Sequence, residues 1–188
     1  MMAASESKQG LVILDRDGVI NEDSSEFVKS VDEWIPIPGS IEAIAALSMA
    51  GYTIAVASNQ SGVACGLFDI VALDQMHKKL SDLVIAAGGR VDCVAICPHG
   101  PDDGCECRKP KPGLLLQIAE DLAFDLSDVL VIGDSLRDLE ATAAAGANPV
   151  LVRTGNGRQV ELELPADLES IPIFDNLAAA ADSLLALR

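Results

Sequence analysis

The chain has 188 residues, 49% hydrophobic and 22% charged, with a formal net charge of −16. This length suits one α/β domain with its own core, and the charge excludes a general affinity for nucleic acid or for an anionic membrane surface. Aromatic residues make up 3% of the chain, too few for a base-stacking platform, and no run is long and apolar enough to span a bilayer. A small anionic substrate stays compatible, because a cation and a few basic side chains can reverse the field locally.

Met1 to Gly10 is polar and reads as a loose leader without a targeting signal, which points to the cytoplasm. Leu11 to Leu14 is a short apolar run, right for a strand buried on both faces. It stops at Asp15 and Asp17, two carboxylates followed by Gly18, which lets the chain turn sharply. Asn21 to Pro38 has no sustained period and reads as a structured loop over the sheet end. A helix is expected from Ile41 to Ala50, capped by Ser40 and stopped by Gly51. Tyr52 to Ala57 reads as a second strand, ending in Ser58-Asn59-Gln60-Ser61-Gly62. Asp69 to Ala87 has helical composition and ends at Gly88. Val91 to Ile96 is a third expected strand, and Cys97 to Pro112 a polar loop rich in Cys and Pro. A helix over Gly113 to Phe124 leads to a strand over Val129 to Ile132, which ends in Gly133-Asp134. A helix over Leu136 to Ala145 leads to a strand over Pro149 to Val152. A C-terminal helix is expected over Asn176 to Leu187, after a short strand at Ile171 to Phe174. Strands alternating with helices of this length imply a doubly wound, Rossmann-like parallel sheet. The stretch from Asn156 to Arg188 carries no visible functional signal.

Asp15 with Asp17, Ser58, Lys109 and Asp134 all fall at or just after the carboxyl ends of expected strands or their loops. Open parallel sheets bind ligands in the crevice at those ends. Carboxylates there can hold a divalent cation, attack an electrophile, or both. Each signal alone has a plainer explanation. Ser58-Asn59 suits a turn, Lys109 a solvated charge, Asp134 a helix cap, and Asp138 an exposed first-turn carboxylate. Their joint occurrence argues for one site.

Five cysteines in a chain without a secretion signal argue against a disulfide framework. Cys97, His99, Cys105 and Cys107 form two short ligand pairs joined by a loop, the spacing of a four-coordinate structural Zn²⁺ site. The loop holds Pro101, Asp102, Asp103 and Gly104 and no apolar anchor, so a metal is the obvious thing to fold it. A catalytic or redox use of the thiols is the alternative. Cys65 and Cys93 lack ligand spacing, and Cys93 reads as a core thiol. The loop ends directly at Arg108 and Lys109.

On these residues the sequence resembles the haloacid dehalogenase superfamily of phosphatases. Four motifs match: Asp15-Arg16-Asp17-Gly18, Ser58-Asn59, Lys109-Pro110, and Gly133-Asp134-Ser135-Leu136-Arg137-Asp138. The resemblance implies that Asp15 is a nucleophile, Asp17 a general acid and base, and Ser58 and Lys109 holders of the phosphoryl oxygens. It further implies Mg²⁺ bound by Asp15, the backbone carbonyl of Asp17, and Asp134. The zinc loop and the run from Cys107 to Gly113 resemble one branch, which holds heptose-bisphosphate and histidinol-phosphate phosphatases. That implies removal of the 7-phosphate of a heptose 1,7-bisphosphate, with histidinol phosphate or another small sugar phosphate as the alternative substrate. The implied substrate contacts are Asp23, Ser24, Ser25, Glu26, Ser58, Asn59, Gln60, Ser61, Arg108 and Lys109. Ser135, where some members carry lysine, and nearby Arg137 join them. The expectation is one hydrolase domain over residues 1–188 with no large cap domain and a zinc-stabilised loop at 97–107. It acts as a monomer on a small phosphorylated sugar, with Mg²⁺ catalytic and Zn²⁺ structural. A catalytically silent, zinc-stabilised binding protein is the reading from a different class, and it has no need of Asp15, Asp17, Lys109 and Asp134 together.

Overall fold

The computed structural model describes residues 9–187; of the leader expected over Met1 to Gly10, residues 1–8 lie outside them. Six strands form one parallel sheet: β1 (Leu11–Leu14), β2 (Thr53–Asn59), β3 (Cys93–Cys97), β4 (Leu130–Gly133), β5 (Asn148–Val152) and β6 (Ile173–Phe174). Their order is β3-β2-β1-β4-β5-β6, so the chain reverses its direction of travel across the sheet between β1 and β4. A crevice opens at such a reversal, outside the carboxyl ends of the strands.

The alternation in β1 explains how both faces are covered. Val12 and Leu14 pack in a cluster with α1 (Ser40–Met49), α3 (Ile70–Ala86) and α7 (Leu177–Ala186). Leu11 and Ile13 point the other way, toward α4 (Gly113–Leu122) and α5 (Leu136–Ala145). In α3 the buried residues Leu73, Met76, Leu80 and Val84 recur at helical spacing, so one stripe faces the sheet. The Asp69 carboxylate accepts from the Ala72 amide at 2.8 Å and caps that helix.

The loop from Asp15 to Gly39 is anchored by Trp34, which is fully buried. Lys79 Nζ donates to the carbonyls of Trp34 and Val31 at 2.7 and 2.8 Å and lies 5.5 Å from the Trp34 ring centre. A third, small cluster of Leu139, Leu151 and Leu168 secures the segment after β5.

The structure corrects several boundaries. Ser40 is not the cap of α1: Gly39, at φ 85°, holds that position, and the Ser40 hydroxyl donates to the Ile20 carbonyl at 2.7 Å. Ser58 and Asn59 belong to β2 itself, because β3 pairs with them as far as Asn59 opposite Cys97. Two helices had no sequence signal, α2 (Ser61–Ala64) and α6 (Gly157–Leu162), since segments this short cannot display a 3.6-residue period. Strand β6 is shorter than expected, beginning at Ile173. No helix among the described residues is long and apolar enough to cross a membrane.

Candidate active site

Asp15 is the first residue past β1, and its amide donates to the Ile132 carbonyl of β4 at 2.9 Å. This bond extends the β1–β4 ladder by one step and sets the Asp15 side chain at the mouth of the reversal. Lys109 reaches the same point from the opposite loop. Its ammonium donates to Asp15 Oδ1 at 2.7 Å and to the Ala57 carbonyl at 2.8 Å, and it pairs with Asp138 Oδ1 at 2.5 Å. Asn59 fixes the lysine backbone from both sides, donating Nδ2 to the Lys109 carbonyl at 3.0 Å and accepting from its amide at 3.1 Å. Lys109 is therefore not a solvated charge.

Asp138 is not an exposed first-turn carboxylate either, for it is 2% exposed. Its second oxygen accepts from the Ser135 amide at 3.0 Å and the Ser135 hydroxyl at 2.6 Å at the start of α5. The helix N-terminus and Lys109 together outweigh its burial and hold its carboxyl below the usual range. Burial alone would push the Lys109 ammonium down, but Asp138 and Asp15 raise it above its ordinary value. Both shifts favour the charged pair.

Asp134 follows β4 beside Asp15. Its carboxylate accepts from the Asn156 amide at 2.8 Å and from Asn156 Nδ2 at 3.2 Å. Gly18 and Gly155, both at positive φ, lie so close that a Cβ on either would overlap that carboxylate. Burial first, then the nearby Asp138, pushes Asp134 up to about 7 despite the Asn156 bonds. Asp15 is also raised well above the usual range, by burial first, with Asp138 and Asp134 adding to it against the pull of Lys109. Oxygens of Asp15, Asp134 and Asp138 lie within 4.8 Å of one another. Asp138 already has Lys109 and Ser135 as partners, so Asp15 and Asp134 keep oxygens free for a cation. Two buried carboxylates that resist ionisation, with hard oxygen donors facing one crevice, fit a small divalent cation.

Asp17 lines the same cleft. Arg16 chelates its carboxylate, Asn21 Nδ2 donates to Oδ1 at 2.8 Å, and Gln60 Nε2 donates to Oδ2 at 2.9 Å. Gln60 Nε2 also contacts Ser58 Oγ at 2.6 Å.

The sulfur and nitrogen atoms of Cys97, His99, Cys105 and Cys107 also converge. Cys97 Sγ lies 3.6 Å from His99 Nδ1, 3.6 Å from Cys105 Sγ and 3.1 Å from Cys107 Sγ, and His99 Nδ1 lies 3.3 Å from Cys107 Sγ. A tetrahedral zinc with bonds of ~2.3 Å to sulfur needs donors separated by about 3.8 Å, close to this arrangement. None of the cysteines is in a disulfide. Burial first pushes the Cys97 thiol up to about 12, a state that a bound cation reverses. Cys65 is exposed, and Cys93 is only half-buried against the α4 layer.

Of the expected site residues, Asp15, Asp17, Asp23, Ser58, Asn59, Lys109, Asp134, Ser135 and Arg137 line one cleft. Gln60 and Ser61 are buried behind it. Arg108 lines an adjoining cleft of about 300 Å³ together with Lys109, Lys111 and Arg137. Ser24 and Glu26 line a separate groove on the loop, and Ser25 is exposed beside them. Asn156 and Asp138 complete the cleft. Asn156 lies in the stretch that had no functional signal, and nothing local could mark it. Ser135, not Asp134, is the cap of α5, with Asp138 completing a capping box, and neither this nor the Lys109 pair was read from the sequence.

Comparison with known proteins agrees with this geometry. A family model described as "HAD-hyrolase-like" matches residues 106–180. A D-glycero-beta-D-manno-heptose-1,7-bisphosphate 7-phosphatase of Pseudomonas aeruginosa is 57% identical over 178 residues, covering 94% of this chain and 98% of that one. The Pseudomonas putida protein of the same name is 54% identical, covering 93% and 99%. A crystal structure of D,D-heptose 1,7-bisphosphate phosphatase from Bordetella bronchiseptica, complexed with magnesium and phosphate, superposes with a TM-score of 0.92 at 51% identity, covering 96% of this chain and 100% of that one. With identity this high along nearly the whole of both chains, and the four strand-end motifs gathered in one cleft, this chain belongs to the haloacid-dehalogenase-like family of heptose-1,7-bisphosphate 7-phosphatases.

Proposed function

We propose that the chain is a Mg²⁺-dependent phosphoric monoester hydrolase that removes the 7-phosphate of D-glycero-beta-D-manno-heptose 1,7-bisphosphate. The observation that carries the reading is the buried Lys109 ammonium, held between Asp15 and Asp138 and facing Asp134 across the same cleft. A nucleophilic carboxylate, a fixed cation and a site for a second cation are what a transferring phosphoryl group requires.

Asp15 attacks phosphorus in line with the sugar oxygen. The bond from phosphorus to the C7 oxygen breaks, and Asp17 gives its proton to that oxygen. Asp15 now carries the phosphoryl group as an acyl phosphate. Asp17, left ionised, takes a proton from water as the water attacks phosphorus, which frees inorganic phosphate and restores Asp15. Lys109 and the Ser58 hydroxyl hold the phosphoryl oxygens throughout. Mg²⁺ bound by Asp15, the Asp17 carbonyl and Asp134 would neutralise phosphoryl charge.

The adjoining cleft favours a bisphosphate over histidinol phosphate. Arg108 and Arg137 line it and no carboxylate does, while the Lys109 ammonium is turned onto Asp15 and Asp138 and Lys111 pairs with Glu106 at 2.7 Å. That field suits the distal phosphate and opposes a cationic amine. Asp23 lines the catalytic cleft, whereas Ser24 and Glu26 line the separate groove on the loop. Zn²⁺ held by Cys97, His99, Cys105 and Cys107 would be structural. Arg108 donates to the His99 carbonyl at 3.2 Å, so folding of this loop bears directly on Arg108 and Lys109.

The test is phosphate release with Mg²⁺ from both anomers of heptose 1,7-bisphosphate, fructose 1,6-bisphosphate and histidinol phosphate. A preference for the beta heptose anomer is expected. A preference for histidinol phosphate would keep the chemistry and overturn the substrate. Turnover by Asp15→Asn close to that of the unaltered chain would overturn the chemistry.

A further inference from the structure

Arg16 sits between the two aspartates of the first motif and is 1% exposed. It does not line the cleft. Its guanidinium turns onto the next residue instead. Nε lies 3.2 Å from both Asp17 oxygens, and Nη2 lies 2.9 and 3.0 Å from them. Its remaining nitrogen, Nη1, is buried and without a hydrogen-bond partner. Burial of a guanidinium is costly and is retained only where its pairing compensates. Here the pairing goes to one carboxylate.

Two neutral donors complete the clamp from separate segments. Asn21 Nδ2, in the loop after β1, donates to Asp17 Oδ1 at 2.8 Å and to the Glu22 carbonyl at 2.8 Å. Gln60 Nε2, just past β2, joins Asp17 Oδ2 at 2.9 Å to Ser58 Oγ at 2.6 Å. Asn21 and Gln60 are 0% and 3% exposed. Both oxygens of Asp17 are thus held by buried side chains, and one holder also contacts the hydroxyl assigned to the phosphoryl group. General acid catalysis depends on the placement of the acid relative to the leaving oxygen, and small displacements are costly.

We propose that Arg16 is a positioning residue for proton transfer: with Asn21 and Gln60 it fixes the Asp17 carboxylate against the leaving oxygen and ties that orientation to Ser58. The inference rests on Asp17 as the general acid of the proposed phosphatase, and it adds residues that do not touch substrate.

The test uses phenyl phosphate and p-nitrophenyl phosphate, two esters of nearly the same shape. Phenoxide is a poor leaving group that needs a proton, and p-nitrophenolate leaves without one. General acids contribute about 10²–10⁴-fold, and a misplaced acid forfeits part of this. Arg16→Lys keeps a charge but replaces the two nitrogens on the carboxylate with one. It should lower kcat/KM for phenyl phosphate about 10- to 100-fold more than for p-nitrophenyl phosphate. Asp17→Asn should show the same selectivity, more strongly. An equal loss on both esters, or no loss, overturns the positioning role. If Asp17→Asn stays selective in that outcome, the phosphatase reading stands. If Asp17→Asn is not selective, the acid assignment fails and the inference fails with it. Should Arg16→Lys not fold, Asn21→Ala removes one donor without removing a buried charge, and the same ratio decides.

Discussion

Replacing Lys109 with methionine removes the buried cation while keeping most of the side-chain volume. Lys109 is 3% exposed, and its ammonium is 2.7 Å from Asp15 Oδ1 and 2.5 Å from Asp138 Oδ1. Without it, Asp138 is a buried carboxylate held only by Ser135. It must stay charged and uncompensated or take up a proton. Taking up a proton at pH 7.5, from an ordinary carboxyl value near 3.9, costs at most about 5 kcal/mol. That ceiling agrees with the ~3–5 kcal/mol found when one partner of a buried pair is removed. At pH 5 the same conversion costs about 1.5 kcal/mol. The sign follows. In the unaltered chain Asp138 is held below the usual range and contributes stability above it. In Lys109→Met its folded value rises above the unfolded one, so stability is present at low pH and lost as pH rises. Urea unfolding without added Mg²⁺ should therefore show a gap between the two proteins that widens from about 1–2 kcal/mol at pH 5 to about 3–5 kcal/mol at pH 7.5. A gap that stays constant across this range would refute the buried charge pair. Phosphatase activity should be lost at every pH.

Gly155→Ala places a Cβ against the Asp134 carboxylate at a backbone φ of 55°. The Mg²⁺ concentration for half-maximal activity should rise about 10- to 100-fold, and an unchanged titration would show that Asp134 is not a metal ligand. Metal analysis should find one tightly bound zinc per chain. Its removal should expose the Pro101 to Gly104 loop to proteolysis and weaken phosphate binding, and protein purified without zinc would end that assignment. His77 is driven down from 6.5 to about 4, by burial first and then by Arg16. A histidine kept neutral in the fold contributes stability above its unfolded value of 6.5 that is lost as pH falls toward 4. From pH 7 to pH 5 the unaltered chain should therefore lose about 2 kcal/mol relative to His77→Gln, which cannot ionise. Parallel stability curves for the two proteins would contradict this.

What the amino-acid sequence determined by itself was local chemistry. An apolar run that ends in Asp15-Arg16-Asp17-Gly18 announces a strand and its ligand-binding end within a few residues. The spacing of Cys97, His99, Cys105 and Cys107 announces a candidate metal site in the same way, because the four side chains lie on one short loop. Alternating strands and helices announced the doubly wound sheet, since each period is a property of one segment. The tertiary structure alone decided the pairings. Asp138 looked like a surface carboxylate until the sheet order set β1 beside β4 and put it against Lys109. Asn156 carried no signal, and it became a partner of Asp134 because β5 lies next to β4. Arg16 had no role in the sequence reading, and the structure buries it against Asp17. Propensity and periodicity act over neighbouring residues, whereas the charge state and orientation of a buried group depend on whichever distant segments the sheet brings within ~4 Å of it.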